Sequence, residues 1–210
     1  VDTNQYRCSL MAMIKTMEKI KKGKGFTADQ LDFIKQTPFH QFIFSIYEGY
    51  VTLKECRKST LTVDILISTF SDENEDFKIG KKSLKIMTED IALLFGLPIH
   101  GKNLFPLPKS SFQHLSDYCK EFVVRNFGIV DHITKIHTIA RINFVFENEN
   151  YQYQTDLPKL IIILAMITFF FPDNQMYLPW GYLQYLIDEE KMFDVSWPLT
   201  IQCSLLRSLK

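Results

Sequence analysis

Apolar residues recur at helical spacing over most of the chain and alternate at strand spacing in one short stretch. The first helix is predicted over residues 11–20. It runs into a basic, glycine-containing segment, residues 19–25, that reads as a loop or arm. Thr27 and Gln30 have the spacing of a capping box, which predicts a short helix to about Lys35, with Pro38 marking a break. Phe39, Phe42, Ile43, Ile46, Tyr47 and Tyr50 then form one apolar face of a helix. Residues 59–70 repeat that theme with Leu61, Ile65, Leu66 and Phe70. An acidic run over residues 71–76 reads as a solvated loop.

The period then changes. Phe77 and Ile79 alternate with polar neighbours, as do Leu84 and Ile86, and Gly80 lies between, which predicts a small β-hairpin. Thr88 is placed as the N-cap of the next helix, with Glu89 and Asp90 at the positive end of its dipole. Ile91, Leu94 and Phe95 are its expected buried stripe. Gly96 is expected to close it in the left-handed conformation, with Leu97 as the sealing contact and Pro98 blocking continuation.

Further helices are predicted over residues 112–127, ending near Gly128, and over residues 131–146, whose last residues, 142–146, also fit a strand. A polar turn comes next at 147–150. Asp156 or Thr155 is expected to cap a strongly apolar helix over 158–171. Pro172 and Asp173 open a loop, Pro179 and Trp180 start a helix to about Ile187, and Ser196, Trp197 and Pro198 start the last. About nine helices and one hairpin, with no strand–helix alternation, predict a mainly α, compact multi-helix domain and argue against a doubly wound sheet.

Composition agrees with a filled core. Of 210 residues, 46% are hydrophobic and 18 are Phe, so aromatic burial should be extensive. Lys plus Arg and Asp plus Glu each total 24, so no global field draws the chain to nucleic acid or acidic lipid. The longest apolar run, residues 160–171, falls short of the roughly 20 residues that span a bilayer. Cys8, Cys56, Cys119 and Cys203 are widely spaced with no CxxC, which suits free thiols in an intracellular reducing compartment, nuclear or cytoplasmic. The first residue is Val, and the sequence reads as a piece of a longer chain.

Two blocks of residues carry a family resemblance. The first is Phe77-Lys78-Ile79, Thr88-Glu89-Asp90-Ile91-Ala92 and Gly96-Leu97-Pro98-Ile99-His100-Gly101. The second is Phe170-Phe171-Pro172-Asp173, Leu178-Pro179-Trp180, Tyr182-Leu183, Asp188 and Val195-Ser196-Trp197. Together they resemble the plant mobile domain, the transposon-derived module also labelled aminotransferase-like, over about residues 35–210. The resemblance implies a helical domain over 36–210 of a transposon-derived plant protein, linked to nuclear silencing or development. It leaves open whether the helix and basic arm of residues 1–35 belong to the fold. The matching positions Phe77, Thr88, Asp90, Gly96, Leu97, Pro98 and Gly101 are residues that shape a fold. Aminotransferase chemistry needs a Schiff-base lysine with an acidic partner and a phosphate cradle, and no such set is visible.

No catalytic constellation stands out. His132 and His137 are five apart, not the three or four of a helical metal pair. His114, Asp117 and Cys119 are close in sequence and form a candidate dyad only if the fold brings them together. Glu89 and Asp90 are explained by the helix start, and Asp188-Glu189-Glu190 reads as a helix end with a candidate peptide-binding or salt-bridge role. Trp180, Trp197 and Asp188 are therefore the interaction candidates, with core packing as the competing role of the two tryptophans. Lys19, Lys21, Lys22 and Lys24 form the one basic cluster, a candidate phosphate contact.

The expected function is a non-enzymatic protein-interaction module with a protein partner, no cofactor, no metal and no membrane. The alternatives are a DNA- or chromatin-contacting domain using the lysine arm, and a cryptic hydrolase or transferase, which would need a polar cleft of clustered titratable groups.

Overall fold

The computed structural model describes residues 10–54, 60–107, 110–148, 151–171 and 177–210. Cys8, Cys56, Pro172 and Asp173 lie outside the described residues. The fold is mainly α, with two small sheets.

Helix α9 (Leu157–Ala165) is the centre of the molecule, and every one of its residues is buried. Such an all-round apolar helix has no solvent face to offer, so other helices must enclose it. Helices α1 (Met11–Lys22), α2 (Ala28–Lys35), α7 (Lys135–Glu147) and α10 (Trp180–Ile187) pack around it. α3 (His40–Glu48) lies on α1 and α2. The chain continues from Ala165 into a π-helical turn over Met166–Phe170, where the Phe171 amide donates to the Met166 carbonyl at 2.8 Å. One charged residue is carried inside α9. The Lys159 ammonium reaches Tyr118 Oη at 2.8 Å and Glu189 at 3.4 Å, with its stem in the core.

Met13, Ile14, Met17 and Ile20 of α1 belong to the same core as α9, so the N-terminal helix packs as an integral part of the body. The segment expected as a basic arm is corrected here. The helix continues to Lys22, because Lys19 and Lys21 lie on its last turn against acidic neighbours. The Thr27–Gln30 capping box forms as expected, and α2 spans Ala28–Lys35.

After α4 (Thr60–Ser68), strands β1 (Phe70–Ser71), β2 (Asp76–Ile79) and β3 (Lys82–Leu84) form an antiparallel sheet in the order β1-β2-β3. Phe77 pairs with Leu84 across the predicted hairpin and with Phe70 on its other side. Gly80 at the bend has φ +61, where a side chain is disfavoured. A second pairing joins β4 (Ile133–Thr134) to β5 (Tyr177–Leu178).

Helix α5 (Thr88–Phe95) departs from expectation at its start and keeps it at its end. Its N-cap is Met87, not Thr88: the Asp90 carboxylate accepts the Met87 amide at 2.8 Å. Thr88 instead donates to Gln202 at 2.5 Å on α12 (Trp197–Leu209), and Gln202 donates to the Ile86 carbonyl. At the other end Gly96 adopts φ +65, and the Leu97 amide donates to the Ala92 carbonyl at 3.0 Å. That is a Schellman closure, with Leu97 buried.

Other boundaries differ for local reasons. The helix expected over 112–127 is divided. A 3₁₀ turn covers Phe112–His114, then the Ser116 hydroxyl accepts the Cys119 amide and starts α6 (Asp117–Phe127). Thr134 likewise caps α7, so residues 142–146 are helical and not a strand. Asp156 stands at the start of α9 but makes no cap bond there; its carboxylate is committed to Arg125 and Asn126. Two short helices, α8 (Tyr151–Gln154) and α11 (Glu189–Met192), complete the chain.

Candidate functional site

Helix α5 separates two concave surfaces. On one side is a cleft of about 1130 Å³. Its walls arise from helical periodicity. Asp90, Ile91, Leu94 and Phe95 come from one face of α5, and Ile201, Ser204, Leu205 and Ser208 from one face of α12. The floor is the π-helical turn and the residue after it, Phe169, Phe170 and Phe171, together with Tyr182 from α10. The 105–107 loop, with a cis Phe105–Pro106 bond, supplies the rim.

The floor is a packed set of rings. Phe95 meets Phe169 at 5.2 Å and Phe170 at 5.4 Å between centroids, edge to face in both cases. Phe42 stacks on Phe169 from below at 5.4 Å, and Tyr182 stacks on Phe171 at 4.5 Å. Those geometries suit aromatic quadrupoles and hold the floor rigid. Burial pushes the Tyr182 phenol well above its ordinary pKa, so it remains a hydrogen-bond donor at neutral pH.

On the other side of α5 is a shallower groove of about 690 Å³, lined by Pro38, Leu97, Pro98, Ile99 and Phe193, with Lys35, His40 and Glu89 among its polar residues. The ridge between the two carries Leu93, 85% exposed, and Leu94, 71% exposed. The expected stripe of Ile91, Leu94 and Phe95 is corrected accordingly: Ile91 and Ala92 are buried, and Leu94 faces out.

The two tryptophans are not surface anchors. Trp197 is 0% exposed and donates from Nε1 to the Met192 carbonyl at 2.9 Å. Trp180 is 7% exposed and meets Phe112 edge to face. Asp188 caps α11 and pairs with Lys191 at 2.6 Å, and that ammonium holds its carboxyl below the ordinary range. Of the basic cluster, Lys19 pairs with Glu147 at 3.0 Å, Lys21 with Glu48 at 2.9 Å and Lys22 with Glu18 at 3.6 Å, while Lys24 lies in the next turn. Gly101, at φ +110, lies against the backbone of Val195 and Ser196, beside the Lys102–Val195 bridge. Phe77 is buried against Phe70.

The candidate dyad does not assemble. His114 Nδ1 is 2.9 Å from the Ser111 hydroxyl, whereas Cys119 is buried with its thiol pushed up by desolvation. His132 stacks on Tyr177 at 4.2 Å. Among the described residues no group of three or more His, Cys, Asp or Glu could hold a metal ion, and no helix is long and apolar enough to cross a membrane.

Sequence reasoning missed both the Leu93–Leu94 ridge and Tyr182. Periodicity alone does not reveal which side of a mostly apolar helix meets the core.

No curated protein and no solved structure matches the chain. A family model does, over residues 6–210, which takes in α1 together with both clefts. The chain therefore belongs to the DUF8566 family, described as a domain of unknown function.

Proposed function

We propose that this chain is a non-enzymatic protein-interaction module and that the α5 ridge is its docking face. The observation that carries the reading is the exposure of Leu93 and Leu94 side by side on a helix whose neighbours Ile91 and Ala92 are buried. Adjacent exposed leucines beside an apolar groove are a feature of docking surfaces. The occupant that fits is an amphipathic helix of a partner protein. Its apolar side would lie along Leu97, Pro98, Ile99 and Phe193, and its polar side would meet Lys35 and Glu89 at the edge.

The resemblance to the plant mobile domain supports a non-enzymatic role and suggests a nuclear setting in a transposon-derived protein. The DNA-contacting alternative draws less support, because Lys19, Lys21 and Lys22 each face a carboxylate.

The test is selection of helical peptides from a displayed library against the purified chain, with L93D/L94D as the control. Selected peptides that bind the wild type and lose at least about tenfold on the variant support the reading, as expected for two apolar anchors. Peptides that bind both proteins equally, or no enrichment at all, would sink it. Salt-sensitive DNA binding that falls when Lys19, Lys21, Lys22 and Lys24 become Glu would favour the alternative.

A further inference from the structure

The aromatic cleft on the far side of α5 holds one buried donor without an acceptor and, at its rim, an exposed guanidinium. Tyr182 is only 4% exposed, yet its hydroxyl makes no hydrogen bond among the described residues and is not sealed off from the cleft it lines. A buried tyrosine hydroxyl ordinarily finds a partner. Arg207, at the end of α12, lies over the Phe105 ring at 5.5 Å and has no carboxylate within ion-pair distance among the described residues. Among the described residues the only carboxylate in the lining, Asp90, already accepts the Met87 amide at the start of α5, where the helix dipole compensates its charge. The remaining surface is mostly aromatic and aliphatic, and the volume lies just above the usual range of small-molecule sites.

We infer that this cleft is a binding site for a small apolar carboxylate, whose hydrocarbon body lies on Phe95, Phe170 and Phe171 and whose acid group accepts hydrogen bonds from Tyr182 and Arg207. Arg presents a fork of N–H groups that matches a carboxylate, and the phenol adds a neutral donor at the buried end. The inference does not depend on the α5 ridge binding a protein, since the groove lies on the opposite side of that helix and Leu94 is the one ridge residue that borders the cleft.

The experiment is isothermal titration calorimetry of the whole chain with decanoate, decanol and decyltrimethylammonium, each below its micelle-forming concentration. 2-Naphthoate is a fourth arm that separates an aliphatic from an aromatic acid. At least one of the two acids should bind, and the acid that binds should do so about tenfold or more tighter than the alcohol or the cation, the worth of one charge-assisted hydrogen bond. R207Q should remove that advantage, weakening the acid far more than it weakens decanol. Y182F, which deletes one oxygen, should weaken the acid several-fold.

R207K provides a second reading should R207Q fold poorly, because it keeps the charge and loses the fork; it should retain part of the preference. Absence of binding by both acids up to about 1 mM, the weak limit for a specific small ligand, would overturn the site. Equal affinity for the three decyl probes, or a preference for acids that survives in R207Q and Y182F, would overturn it as well.

Discussion

The Asp156 carboxylate receives both Nε and Nη2 of Arg125, at 2.9 and 3.0 Å, and so ties the start of the central helix α9 to α6. Asn126 adds a third bond to the same carboxylate at 2.7 Å, and Arg141 from α7 donates to the Asn126 oxygen at 2.9 Å. Three helices are thereby fixed around one buried anion. Removing one partner of such a pair leaves the other uncompensated. D156A should lower unfolding stability by about 3 kcal/mol, measured by urea denaturation. In a double-mutant cycle with R125A the two losses should be far from additive; additive losses would show that the pair is not coupled.

The glycines divide by what surrounds them. Gly80 has positive φ in open space, so G80A should cost only the left-handed strain, about 1 kcal/mol. At Gly101 a Cβ would come within 2.5 Å of the Val195 carbonyl carbon and 2.6 Å of the Ser196 amide nitrogen. Backbone cannot step aside as a side chain can. G101A should therefore be at least about 2 kcal/mol worse than G80A, readable as a larger drop in Tm.

Thiol labelling should separate the two described cysteines. In a C8S/C56S background, Cys203 is half-buried and accepts a weak hydrogen bond from Asn103 at 3.4 Å, whereas Cys119 is buried with a raised pKa. One thiol should react with an alkylating reagent in the native protein, and the second only on unfolding. Rapid loss of both would mean that α6 opens readily.

Asp188 provides a pH test with a definite sign. Lys191 holds its folded carboxyl below the ordinary value, so the contribution is fully present above the unfolded pKa and is lost as pH falls through the folded one. The stability difference between wild type and D188N should be largest above about pH 5 and shrink towards about pH 2. A difference that is flat across that range would show that the pair contributes nothing to folding.

Substituting the ridge should be harmless to the fold. L93D/L94D should lower unfolding stability by no more than about 1.5 kcal/mol, the helix-propensity and dipole cost of two Asp in the last turn of α5, because both side chains are already in water. A loss of several kcal/mol would mean that the two leucines pack against something in solution.

Features that act within a turn or two of chain are legible in the sequence. Thr27 and Gln30 announce their capping box because both partners lie in one four-residue window, and Gly96, Leu97 and Pro98 announce a helix end in the same way. The cap at Ser116 is masked because Phe112 and Leu115 continue an apolar pattern through it. The Arg125–Asp156 pair joins residues 31 apart, and no local pattern encodes that distance. Of the candidate site, the aromatic richness is visible in the sequence, but the unpartnered Tyr182 hydroxyl is not, since satisfaction of a polar group depends on every neighbour the fold supplies.

The π turn at Met166–Phe170 amounts to one residue more than an α-helix would need over the same length. Removing a single residue there, for instance Ile167, should let the helix rewind in α form over the same length and leave the downstream chain in phase. Phe170 and Phe171 would then keep their place in the cleft floor, so the surplus residue is absorbed within one turn and its effect goes no further along the chain.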